Sequence, residues 1–175
     1  MTSTLKADKI EGVTASGTVQ MPAGHVIQVV QGDTGDQTTT SSSYSDTGLT
    51  ATITPKFSNS KILVSVKGIG SASVDNNQQV IFRMVRNQPS ADTIVDGQGN
   101  LPYNSNQFGK GFAVVEGQRE RYPVMCDLLD SPSTTSAIAY KMVWLATSST
   151  GYLGRWGTDG NWNVRTTLTL MEIAQ

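Results

Sequence analysis

Four side chains of binding type lie within one Gly-rich stretch, residues 148–163: Tyr152, Arg155, Trp156 and Trp162. Aromatic rings stack on sugar faces or fill interface pockets, and arginine adds a planar fork of donors. The same residues could instead pin the stretch onto a folded body with their rings turned inward. A second irregular stretch, 87–111, is rich in Gly, Asn and Pro and carries Tyr103 and Phe108. Long irregular segments of this kind are usually functional or disordered. These six residues are the candidate receptor or interface contacts.

Other chemistry is thinly supplied. His25 is the single histidine, and alone it builds neither a triad nor a metal site. Cys126 is the single cysteine; it sits in an apolar run and reads as a core residue without a disulfide partner. The run Asp96-Gly97-Gln98-Gly99-Asn100 lacks the alternating acidic ligands and closing glutamate of a calcium loop, so it reads as a turn. Glu116, Glu120 and Asp127 form no evident carboxylate pair of the kind glycoside hydrolysis uses. No catalytic residue, cofactor or metal is expected.

The elements that must position the two loops read as strands. Leu49, Ala51 and Ile53 alternate with Thr50, Thr52 and Thr54, and Ile62, Val64 and Val66 alternate with Leu63, Ser65 and Lys67. Pro55 ends the first run, and Ser58, Asn59 and Ser60 supply turn chemistry. Residues 48–70 are therefore expected to form a β-hairpin with one apolar face. Further strands are expected over 25–31, 79–86, 112–115, 122–129, 136–147 and 164–174, with a short one near Ile94 and Val95. Residues 32–45 read as a long polar surface loop. The pattern of eight to ten strands without a convincing helix predicts an all-β antiparallel β-sandwich or jelly roll.

Residues 1–24 differ from the rest. Leu5, Ile10, Val13, Val19 and Met21 are spaced too irregularly for a helix, and Gly12, Gly17, Pro22 and Gly24 interrupt them. The expected organisation is an extended N-terminal arm, 1–24, with a disordered tail as the plainer alternative for it, and a sandwich domain, 25–175. The arm's apolar residues are candidate anchors.

Charge narrows the partners. Thirteen Lys and Arg against fourteen Asp and Glu give a net charge of −1, and charged residues are 15% of the chain. Without a basic block, nucleic-acid binding is not expected. No apolar run approaches the roughly 20 residues of a membrane span, and no signal peptide is expected. Strands 79–86 and 136–147 carry apolar residues on both faces: Ile81 and Val85 opposite Val80, Phe82 and Met84, and Val143 and Leu145 opposite Tyr140 and Trp144. A monomeric sandwich keeps one face polar, so the second apolar face predicts burial against another subunit.

Three segments together carry a resemblance: 3–11 (Ser-Thr-Leu-Lys-Ala-Asp-Lys-Ile-Glu), 21–28 (Met-Pro-Ala-Gly-His-Val-Ile-Gln), and 46–55 (Asp-Thr-Gly-Leu-Thr-Ala-Thr-Ile-Thr-Pro) continued by Ser60-Lys61-Ile62-Leu63-Val64. Leu168-Thr169-Leu170-Met171-Glu172-Ile173 is a weaker echo. The succession resembles small tail-fibre-like virion surface proteins of tailed phages, especially those of marine bacteria and cyanobacteria. The resemblance implies a homotrimeric jelly roll similar to tumour-necrosis-factor-like heads. It also implies an arm attached to other virion proteins, distal loops that meet a host surface glycan or protein, and a place in a virion assembled in the host cytoplasm. It brings no catalytic motif. The expected function is thus a non-enzymatic trimeric tail fibre or adhesin in host attachment. A capsid decoration or head-fibre protein of the same fold is the alternative, and a carbohydrate-active or small-ligand sandwich a third.

Overall fold

The computed structural model describes residues 22–73, 79–88, 91–95, 113–116, 122–147, 150–156 and 159–175. Strands β1 (Val26–Thr34), β2 (Gln37–Thr39), β3 (Ser45–Ile53), β4 (Lys61–Ala72), β5 (Gln79–Gln88), β6 (Ala91–Ile94) and β7 (Ala113–Glu116) occupy the first two thirds. They are followed by β8 (Tyr122–Asp130), β9 (Ile138–Ala146), β10 (Gly151–Leu153), β11 (Arg155–Trp156), β12 (Asp159–Asn163) and β13 (Thr166–Ile173). One sheet has six strands, in the order β1-β13-β4-β10-β2 with β8 on the free side of β4. The second has five, β3-β9-β5-β6, with β7 also on β5, and β11 and β12 form a separate ribbon. Every pairing is antiparallel. The all-β sandwich expected from the alternating pattern is the fold.

Alternation decides what fills it. Leu49, Ala51 and Ile53 of β3, Val80, Phe82 and Met84 of β5, and Ile138, Tyr140, Met142 and Trp144 of β9 enter the core from the five-stranded sheet. Ile62, Val64 and Val66 of β4, with Leu168 and Leu170 of β13, enter from the other. Each fully buried large aliphatic side chain contributes about 1.5–3 kcal/mol through removal from water. Phe82 and Trp144 add a tilted ring contact at 5.7 Å between centroids.

The 48–70 unit is not a hairpin. β3 pairs with β9, and β4 pairs with β13, β8 and β10, so the two strands belong to opposite sheets. The residues that follow Ile53 cross from one layer to the other, and both apolar faces meet from opposite sides of the core. Glu172 holds this crossing. It is fully buried on β13, with Gln28 and Ile62 as its register partners. The backbone N–H groups of Lys56 and Phe57 donate to Oε1 at 2.7 and 3.3 Å, and Gln28 Nε2 donates to Oε2 at 2.6 Å. Gln28 Nε2 also donates to the Thr54 carbonyl at 2.7 Å.

A second polar node ties the sheets elsewhere. Tyr140 Oη and Arg86 Nη1, both from the five-stranded sheet, donate to Asp130 Oδ2 of β8 at 2.7 and 2.6 Å. Burial, then the hydrogen bond to Asp130 and its negative charge, push the Tyr140 phenol well above the usual tyrosine range. A raised folded-state value means that the unfolded chain ionises first. The stability tied to this phenol is therefore complete below about pH 10 and falls as pH rises above it. Tyr140→Phe is expected to lose about 1 kcal/mol at pH 8. It should also show a shallower stability loss than the wild type between pH 9.5 and 11, read from urea unfolding at each pH.

Ile81, Val85 and Leu145 are buried within the single chain, and so is Arg83, whose guanidinium lies 5.0 Å over the Tyr44 ring. Val143, the remaining apolar residue named on that face, is half-buried.

Candidate interaction surface

Strand β10 sets the centre of the predicted contact region. Its three residues pair with β2 on one side and with the end of β4 on the other, so the 148–163 stretch is partly sheet where a loop was expected. Tyr152 and Leu153 are both buried in this position. Gly154 follows; its N–H donates to the Ile69 carbonyl at 2.9 Å, and its own carbonyl accepts from Val164 at 2.7 Å. These bonds fix where Arg155 begins the β11–β12 ribbon.

Arg155 turns back onto the sandwich. Its guanidinium sits 4.3 Å over the Tyr152 ring, and Nη1 donates to Asp36 Oδ2 at 3.1 Å. The Arg155 carbonyl accepts from Ser71 Oγ at 3.0 Å. A cation over a ring and a partly shielded ion pair each help to hold this corner. Tyr152 is 5% exposed, so one of the candidate contact rings is packed inside and capped by the arginine beside it. These contacts tie the ribbon to the sandwich. Asp36 was not among the candidates. It comes from the segment read as a polar loop, and no local pattern links it to a residue 119 positions away.

Trp156 lies on β11 and Trp162 on β12, strands paired through Arg155↔Asn163 and Trp156↔Asp159 with a register shift between them. The backbone thus brings both tryptophans into one two-stranded ribbon whose base is the Tyr152–Arg155–Asp36 corner. Tyr103 and Phe108, and the anchor candidates Leu5, Ile10, Val13, Val19 and Met21, lie outside the described residues.

The other chemistry-bearing residues stand apart. His25 is exposed, and its Nδ1 lies 2.9 Å from the Pro22 carbonyl in the turn leading into β1. Cys126 is partly buried against the core, as its alternation on β8 predicts. Asp127 points outward on β8. Among the described residues no group of three or more His, Cys, Asp or Glu is placed to hold a metal ion, and no helix is long and apolar enough to cross a membrane.

The most regular of the quoted sequence segments has a structural task. In Asp46-Thr47-Gly48-Leu49, Asp46 Oδ1 accepts from the Gly48 N–H at 2.9 Å, and Gly48 has φ of 78°, a left-handed conformation that glycine adopts without strain. The buried Thr47 hydroxyl donates to the Met142 carbonyl at 2.7 Å and accepts from the Leu49 N–H at 3.2 Å. Together they make the register shift in the β3–β9 ladder. No protein-family model matches the chain, and no curated protein matches it.

Proposed function

We propose that this chain is a non-enzymatic structural protein of a tailed-phage particle, a trimeric tail fibre or adhesin that contributes to host attachment. In this reading the sandwich is a jelly roll of the tumour-necrosis-factor-like kind. Residues 1–24 anchor it to other virion proteins, and the β11–β12 ribbon with Trp156 and Trp162 lies on the host-facing side with the 87–111 stretch.

One observation carries the reading. The second and third segments that resemble virion surface proteins and the terminal echo are scattered along the chain, yet they converge on one point of the fold; the first, 3–11, lies outside the described residues. Gln28 ends the second segment, Thr54 and Pro55 end the third, Ile62 lies in its continuation, and Glu172 lies in the terminal echo. Gln28 donates to Glu172 and to the Thr54 carbonyl, while Ile62 is the register partner of Glu172. A likeness that falls on this crossing, with an unlike stretch between Val64 and Leu168, is what a shared attachment end carrying a variable middle would leave.

The test has two arms. Multi-angle light scattering on the purified protein should give a mass near three chains. Gold-labelled antibody against residues 25–175, applied to particles that contain the protein, should mark the tail. Label on the capsid shell would replace the tail assignment with capsid decoration, and absence of the protein from purified particles would end the virion reading.

A further inference from the structure

The ladder registers line up one apolar row across the outside of the six-stranded sheet. Val29 stands opposite Met171, Met171 opposite Leu63, and Leu63 opposite Leu129. The row crosses β1, β13, β4 and β8 at right angles to the strands. The adjacent row, Val30, Leu170, Val64 and Leu128, packs on the core, so alternation turns the first row outward. Val29 is 56% and Leu129 52% exposed, with Leu63 and Met171 partly covered between them. Met125, farther along the same side of β8, is 57% exposed, and Val26 opposite Ile173 extends the patch at the other edge.

A solvated face of an antiparallel sheet is ordinarily polar. Four apolar side chains in an unbroken line across four strands are a surface that water disfavours and that another surface can cover. We propose that this face is where a second copy of the chain binds. The proposal rests on the oligomeric reading above and adds to it the surface involved.

Dimensions and charge both select this occupant. With strands about 4.8 Å apart and about 3.3 Å per residue, the shared face measures roughly 19 by 25 Å, or on the order of 500 Å² in projection. Side-chain relief and a polar rim bring that toward the roughly 800 Å² per partner of a stable interface, whereas one extended segment lying across the strands would cover a narrow strip of it. The row itself carries no charge, and the rows on its two sides carry one each, Asp127 beyond Gln31, Thr169 and Ser65 on one side and Lys61 beyond Val26 and Ile173 on the other. A partner must therefore be uncharged at the centre of contact. A chain with 15% charged residues presents surfaces of that kind, and this row is one of them.

Sedimentation velocity at micromolar concentration decides it. The wild type should sediment as several chains. The variant Val29→Lys with Leu129→Lys should associate at least about tenfold more weakly, as expected when charge enters the centre of an apolar contact. Thr52→Lys, at an exposed position on the other sheet, should behave as wild type. Circular dichroism confirms folding, and Leu129→Gln alone provides a milder variant on the outermost strand, expected to weaken association at least about threefold. If a folded variant keeps the wild-type mass, the face is not the interface, and the inference fails while the oligomer stands. A single-chain wild type would overturn both.

Discussion

Glu172→Ala should destabilise the sandwich by about 3–4 kcal/mol, because it strips the partner from three donors at once. Two of them are the backbone N–H groups of Lys56 and Phe57, which meet this carboxyl group where the chain crosses between sheets. The third is Gln28 Nε2. The side chain is fully buried, so water cannot replace it without opening the layer. For a chain of this size the loss corresponds to a fall in Tm of roughly 10 °C, measurable by thermal circular dichroism. Glu172→Gln retains one acceptor oxygen for the two N–H groups but turns an NH₂ toward Gln28, so it should lose about half as much. A cost below about 1 kcal/mol for the alanine variant would mean that the crossing is held by its packing alone.

Gly32→Ala should be of similar severity for a steric reason. A Cβ added at Gly32 would stand 1.9 Å from the Thr50 carbonyl oxygen and 2.9 Å from its carbon. Both are backbone atoms of β3, so no side chain can swing aside. β1 and β3 belong to different sheets, and Gly32 is where their backbones approach most closely among the glycines described. Relief requires β1 to move away from β3, which strains the Gln28 contacts to Thr54 and Glu172. We expect a loss of at least about 3 kcal/mol, the upper end of overpacking costs, read as a lower urea midpoint. Gly35→Ala meets nothing within 4 Å and should change stability by less than about 0.5 kcal/mol.

These two residues mark what local sequence can and cannot convey. The alternation at Leu49–Ile53 and Ile62–Val66 identifies strands and their buried faces correctly, because period-two burial is a property of each strand alone. Which strand lies beside which is a property of pairs far apart. Val29 meets Met171, and Ile53 meets Ile138, so adjacency in sequence suggested a hairpin where there is a crossing. Glu172 could be placed on a strand but not recognised as the clamp, since its partners lie 144, 116 and 115 positions away. The same limit applied to the candidate site. Tyr152 and Arg155 are legible as neighbours by type, while Asp36, which pairs with Arg155, comes from another part of the chain. Leu63 offered one legible signal: an apolar residue on the side of its strand that also shows Ser65 and Lys67. Only the ladder registers reveal that Val29, Met171 and Leu129 continue it.

The way β1 is laid into the sheet has a mechanical consequence. Its ladder with β13 runs from Val26 beside Ile173 to Thr34 beside Thr166, and it is extended at the entrance by Gly24 N–H to the Ala174 carbonyl and Ala174 N–H to the His25 carbonyl. If the chain is held through the residues before Pro22 and the far pole of the sandwich is tugged, the force runs along β1. Antiparallel ladder bonds lie across the strand, so such a load shears them together instead of peeling them one by one. Gln28, bonded to Thr54 and Glu172, passes part of that load into both layers. A tether entering here would hold the domain by its strongest direction.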